Sequence, residues 1–146
     1  MARKEERKAA PIITRSFASP RVRPGDTWKV YLNASHPDGE MKAIFCTLHQ
    51  PGTGTYPVSI IRVPEAQGRE LSGYLYLNTA GVAGLGSVNL TLKVQIQDGA
   101  EQFSGPACFP VSLNPLTHEE GPPPGVFRDR EIGPIMINLA AGPGAG

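Results

Sequence analysis

From Val88 to Gln97 the chain alternates without a break: Val88, Leu90, Leu92, Val94 and Ile96 are aliphatic, and Asn89, Thr91, Lys93, Gln95 and Gln97 between them are polar. Side chains two residues apart share one face of an extended strand, whereas a helix would scatter these aliphatics around its circumference. The segment is therefore predicted to be a strand with one face in a core and the other in water. The same period recurs in Thr27 to Ala34, where Trp28, Val30 and Leu32 oppose Lys29, Tyr31 and Asn33. It recurs in Met41 to Gln50, with Ile44, Cys46 and Leu48 on the inner side. In Glu70 to Asn78, Leu71, Gly73, Leu75 and Leu77 oppose Ser72, Tyr74 and Tyr76.

Three further segments complete the pattern. Pro11 to Phe17 reads as an edge-type strand, and Tyr56 to Val63 as a β-branched run. Residues 101–113 read as a return strand interrupted at Gly105-Pro106, with Ala107, Phe109, Val111 and Leu113 inward and Cys108 outward. Seventeen glycines and fifteen prolines punctuate the chain, which favours short strands and turns over long helices. Arg23-Pro24-Gly25-Asp26 suits a type II turn, and Asp98-Gly99 suits a tight hairpin. The predicted fold is all-β: an immunoglobulin-like two-sheet sandwich of about seven strands with extended N- and C-terminal arms. A partly open barrel is the alternative. Residues 1–10 form a basic arm, 11–113 the sandwich, and 114–146 a Pro/Gly-rich extension with an apolar docking segment.

Val22-Arg23-Pro24-Gly25-Asp26-Thr27-Trp28 and Ala34-Ser35-His36-Pro37-Asp38-Gly39-Glu40-Met41 resemble the opening of bacterial Ig-like domains of the PKD and cadherin-like kind. There a Pro/Ala-Gly-Asp turn leads into the second strand and an Asp-Pro-Asp-Gly-Asp loop follows it. The resemblance covers residues 22–41 and implies a sandwich. It ends there: Ile44-Phe45-Cys46 stands where PKD domains carry Trp-x-Phe-Gly-Asp-Gly, and His36 replaces the first Asp of the loop. Some relatives bind calcium at that loop. Asp38 and Glu40 offer too few oxygens for an ion that takes six to eight, so the loop is expected to cap a hairpin.

Residues suited to catalysis are scattered. His36, His49 and His118 lack metal-ligand spacing and no Cys-x-x-Cys occurs, so no metal and no cofactor is expected. Cys46 and His49 are three apart and fall on opposite faces of one strand, which prevents a nucleophile–base pair. The glycines of Gly81 to Gly86 lack the lysine of a phosphate loop. The sequons at Asn33 and Asn89 are read as chance matches, and both cysteines as free thiols. The chain is expected not to be an enzyme.

The net charge of +1 conceals a division: residues 1–23 carry +5 and the remainder −4. Arg3, Lys4, Arg7 and Lys8 form a basic arm suited to an acidic partner or an anionic membrane surface. With only Phe17 as a nearby stacking ring, specific nucleic-acid binding is not expected. At the other end Gly121-Pro122-Pro123-Pro124-Gly125 reads as a stiff spacer. It leads to the apolar run Ile132 to Leu139, in which Ile135, Met136, Ile137 and Leu139 are candidate partner-binding residues. Two roles stand side by side for that run: one more strand of its own sandwich, or strand addition to a neighbouring subunit. If docking is its role, deleting residues 126–146 leaves a folded monomer.

No signal-type apolar run follows the charged start, and no stretch approaches the ~20 apolar residues of a membrane span. The expected location is therefore cytoplasmic, with the surface of a membrane complex or a virion as alternative placements. The expected role is a structural or accessory subunit contacting other protein subunits of a larger complex. The alternative is a carbohydrate- or calcium-binding module, for which Tyr31, Tyr56, Tyr74 and Tyr76 would supply an aromatic platform.

Overall fold

In a computed structural model of the chain, residues 9–52, 54–80, 87–137 and 139 are described. The strands are β1 (Ile12–Ala18), β2 (Arg21–Val22), β3 (Thr27–Ser35), β4 (Met41–Gln50), β5 (Gly54–Thr55), β6 (Ser59–Arg62), β7 (Glu70–Asn78), β8 (Val88–Asp98), β9 (Ala107–Leu113) and β10 (Glu131–Pro134). One 3₁₀ turn, Glu65–Gln67, precedes β7. No α-helix occurs among the described residues, and none of them forms a helix long and apolar enough to cross a membrane.

Two mixed sheets face each other. The first runs β1-β3-β7-β10, and the second runs β2-β9-β8-β4-β5 with β6 also on β4. The alternating residues do what their period requires. Trp28, Val30 and Leu32 of β3 and Leu71, Leu75 and Leu77 of β7 meet Ile44, Cys46 and Leu48 of β4 in one core. Leu90, Leu92, Val94 and Ile96 of β8 and Phe109, Val111 and Leu113 of β9 join them. Trp28 donates its indole N–H to the Ser19 carbonyl at 2.9 Å, so its polar edge is satisfied inside the core.

Ten described strands replace the expected seven or so. The additions, β2, β5 and β10, are two to four residues long, too short for a side-chain period to announce them. The first turn has the expected form, with Gly25 at φ 99° and the Asp26 N–H closing on the Arg23 carbonyl at 3.0 Å. The β8–β9 turn does not. It spans three residues, Gly99 to Glu101, and the left-handed position (φ 66°) falls on Glu101 rather than on Gly99. The Asp98 carboxylate accounts for this, because its Oδ1 accepts the N–H groups of Ala100 (3.0 Å) and Gln102 (2.8 Å) and winds the turn around itself.

The segment after β9 lies along the sandwich as a belt. Asn114 N–H bonds the Val22 carbonyl, Arg21 pairs with Glu120 at 2.6 Å, and the Glu120 N–H bonds Ser19 Oγ at 2.9 Å. The belt then crosses the outer face of the first sheet. Asn33 Nδ2 donates to the Val126 carbonyl (2.8 Å), and the Arg128 N–H donates to Ser72 Oγ (3.0 Å). Beyond this point β10 pairs in parallel with β7, and the Ile135 N–H reaches the Tyr76 carbonyl at 2.8 Å. Gly73 permits that approach: a Cβ there would strike the Arg130 carbonyl, which the Tyr74 N–H holds at 2.9 Å. The Met136 N–H meets Ser59 Oγ of β6 at 2.9 Å, so the segment closes one side of the sandwich between the two sheets.

Candidate interaction surfaces

The structure places the sequence-predicted contact residues very differently. Arg3, Lys4, Arg7 and Lys8 lie outside the described residues. Ile135, Ile137 and Leu139 are buried in the chain's own core with Ile132, and of the four apolar candidates only Met136 is exposed, at 74%. Of the two roles read for this run, pairing within the chain is the one the structure describes. As placed, Ile135, Ile137 and Leu139 offer a partner no surface. The cause is the belt: prolines cannot donate to a ladder, but an extended chain carrying them can still lie across a sheet and deliver a short strand at its far side.

The outer face of the first sheet carries an aromatic row. Tyr31 and Tyr74 lie 5.5 Å apart, Phe127 of the belt sits 5.6 Å from Tyr31, and Tyr76 follows Tyr74 at 6.5 Å. Lys29 Nζ stands 4.5 Å from the centre of the Tyr74 ring, a cation–π contact. Burial raises the Tyr31 hydroxyl above its usual pKa, with Lys29 opposing. These rings pack on one another and on the belt, so much of the expected platform is part of the structure. Tyr56 lies elsewhere, its hydroxyl donating to Gln50 Oε1 at 2.5 Å. Beside the row, between the sheet and the belt, Asn33, Gln67, Glu70, Ser72, Arg128 and Arg130 line a polar groove of about 480 Å³. Sequence reading missed it, although Arg128-Asp129-Arg130-Glu131 is a run of alternating charge just beyond the spacer Gly121 to Gly125.

The outer face of the second sheet is apolar at its β6 edge. Ile60 (56% exposed) and Val58 (49%) project there, and Phe103 (43%), bridged to Gln97 of β8, extends the patch across β4. Phe45 pairs with Ile60 across β4 and β6 and meets Phe103 edge-on at 5.1 Å. Lys42 and Arg62 flank Ala43 and Ile60 around a shallow hollow of about 260 Å³. Gln102, next to Phe103, donates through Nε2 to the Ala9 carbonyl at 2.9 Å and holds Ala9 at this corner.

Two groupings invite a chemical reading. Cys46 is buried, and burial pushes its thiol up to about 12, which removes the thiolate a nucleophile needs. Cys108 is exposed and free. His36 and Asp98 form a buried pair, Nε2 to Oδ2 at 3.0 Å, like a base and its orienting carboxylate. The other imidazole nitrogen accepts the Asp38 N–H at 3.0 Å, which leaves no nitrogen for a substrate proton. Among the described residues no three of His, Cys, Asp and Glu group as a metal site. No protein family, curated protein or solved structure was found to match the chain.

Proposed function

We propose that this chain is a non-enzymatic, immunoglobulin-like docking subunit that binds another protein of a larger assembly through the β6 edge of its second sheet. The strand order supports the fold assignment. The first stretch is split between the sheets, β1 beside β3 and β7, and β2 beside β9, β8 and β4. The order β1-β3-β7 against β9-β8-β4 is similar to that of an immunoglobulin sandwich, and β10 takes the place of that fold's fourth strand but runs parallel to β7.

The observation that carries the docking role is the exposed cluster of Val58, Ile60 and Phe103 against Phe45. Contiguous apolar patches on a sheet face mark interaction surfaces. Here the rim carries Lys42 and Arg62, and the basic residues Arg3, Lys4, Arg7 and Lys8 precede the corner where Ala9 is held. The partner this face fits offers an apolar side chain for the hollow and carboxylates for the rim.

Size analysis of the protein extracted from its native source tests the proposal. The wild-type chain is expected in a large species, and an Ile60→Lys/Phe103→Ser double variant as a lone chain of 15.6 kDa. Both side chains are about half exposed and Phe103 packs edge-on against Phe45, so the double variant should lose about 1–3 kcal/mol, and its far-UV circular dichroism checks that it stays folded. A wild-type chain that runs alone, or a double variant that stays in the large species, contradicts the role.

A further inference from the structure

The groove between the first sheet and the belt is built from rigid parts. Asn33 sits on β3 and Ser72 on β7, and their side chains are committed to the structure. Ser72 Oγ donates to Asn33 Oδ1 at 2.6 Å and accepts the Arg128 N–H, while Asn33 Nδ2 is held by the Val126 carbonyl. These bonds fix the belt to the sheet and so fix the backbone from which Arg128 and Arg130 project.

Around that floor stand groups with unused capacity. Arg128 and Arg130 both line the groove, and neither forms an ion pair among the described residues; the same holds for Glu70. Gln67 accepts the Ser72 N–H through Oε1 at 3.3 Å, and no described residue takes its amide N–H groups. The lining of the groove therefore brings together two arginines, an amide and one carboxylate. Its volume of about 480 Å³ lies within the ~300–1,000 Å³ of small-molecule sites.

We infer that this groove binds an acidic saccharide unit, a hexuronate, whose carboxylate meets Arg128 and Arg130 and whose ring hydroxyls donate to Glu70 and accept from Gln67. Each rival leaves part of the wall unused. Inorganic phosphate suits the arginines but carries no ring hydroxyl to Glu70 or to the Gln67 amide. A neutral hexose suits Glu70 and Gln67 and leaves two unpaired cations. A small zwitterion spans a carboxylate–ammonium distance and leaves the amide idle. Only a carboxylate carried on a polyhydroxylated ring uses all of them, with the planar, bidentate geometry that arginine favours. This inference is independent of protein docking at the second sheet.

Titration of the full chain with glucuronate, followed by amide chemical shifts, tests it, with glucose, acetate, inorganic phosphate and alanine as separate arms. Glucuronate is expected to move the amides of Asn33, Gln67 and Ser72 in a saturable way, at least about tenfold more tightly than any other arm. An Arg128→Gln/Arg130→Gln variant should weaken binding by a further tenfold or so, while amides of β8 keep their wild-type positions and so report an intact fold. Unmoved groove amides, or glucose, acetate, phosphate or alanine binding as tightly as glucuronate, overturn the proposal.

Discussion

Replacing Asp98 with alanine is expected to destabilise the fold by about 3–5 kcal/mol, read as a drop in the urea midpoint at constant slope. Asp98 is buried at the end of β8 and takes four donors: His36 Nε2 at 3.0 Å, Gln102 Nε2 at 3.1 Å, and the N–H groups of Ala100 and Gln102. His36 is equally buried at the end of β3, and its own N–H bonds the Arg69 carbonyl. The pair thus ties the β3–β4 turn to the β8–β9 turn and to the chain before β7. Removing the carboxylate strands several donors in a dry site, which costs more than the bonds are worth net. An Asp98→Asn variant keeps the shape and one acceptor oxygen, and should lose about half as much.

The same carboxylate predicts the acid limb. Burial alone would raise its pKa, but the hydrogen bonds from His36, Gln102 and Ala100 outweigh burial and leave it below the ordinary 3.8. A carboxylate with a depressed folded pKa contributes stability that is present above its unfolded pKa and is lost as pH falls through the folded one. The gap between wild type and Asp98→Asn should therefore be full at neutral pH and narrow below about pH 4. A gap that is constant down to pH 2 would mean that Asp98 has the same pKa folded and unfolded, and a gap that widens toward acid would mean that its pKa is raised in the fold.

Deleting residues 131–146 is expected to be the most damaging change, at about 4–8 kcal/mol on the scale of two core truncations. That is comparable with the whole stability of a domain, about 5–15 kcal/mol. The deletion removes β10 and uncovers the sites of Ile132, Ile135, Ile137 and Leu139, all in the single core. It also leaves the β7 edge unpaired and open to aggregation. This reverses the expectation that a chain lacking residues 126–146 folds as a monomer. Ile135→Ala isolates the packing contribution and should cost about 2–4 kcal/mol. A truncated chain with the wild-type urea midpoint would show that the tail is dispensable.

What could be read in the sequence follows from where side chains carry a period. β3, β4, β7 and β8 are long, and their inner faces are aliphatic at every second residue, so fold class and most of the core are visible in Trp28, Leu48, Leu75 and Ile96. The same parity, extended one step, would have found the buried pair. His36 follows Ala34 and Asp98 follows Ile96 on the inward positions, but polar turn-formers at strand ends read as solvent-facing. β2 and β10 are held by backbone bonds to neighbours distant in sequence, such as Arg21 beside Ser112 and Gly133 beside Leu75. No local pattern encodes such pairing. The groove depends on the belt's path, which places Arg128 next to Ser72, 56 residues earlier. The exposed apolar face is hidden in the sequence because Val58 and Ile60 sit in a β-branched run whose inward members are Ile61 and Val63.

Amide hydrogen exchange on the dilute 146-residue chain tests most directly whether the C-terminal segment belongs to the fold. The Tyr74 and Ile135 amides, bonded to the Arg130 and Tyr76 carbonyls at 2.9 and 2.8 Å, should exchange as slowly as those of β8, through global unfolding, at every protein concentration. Fast exchange at Ile135 and Tyr74 beside a protected β8, or protection that appears only as concentration rises, would contradict the account.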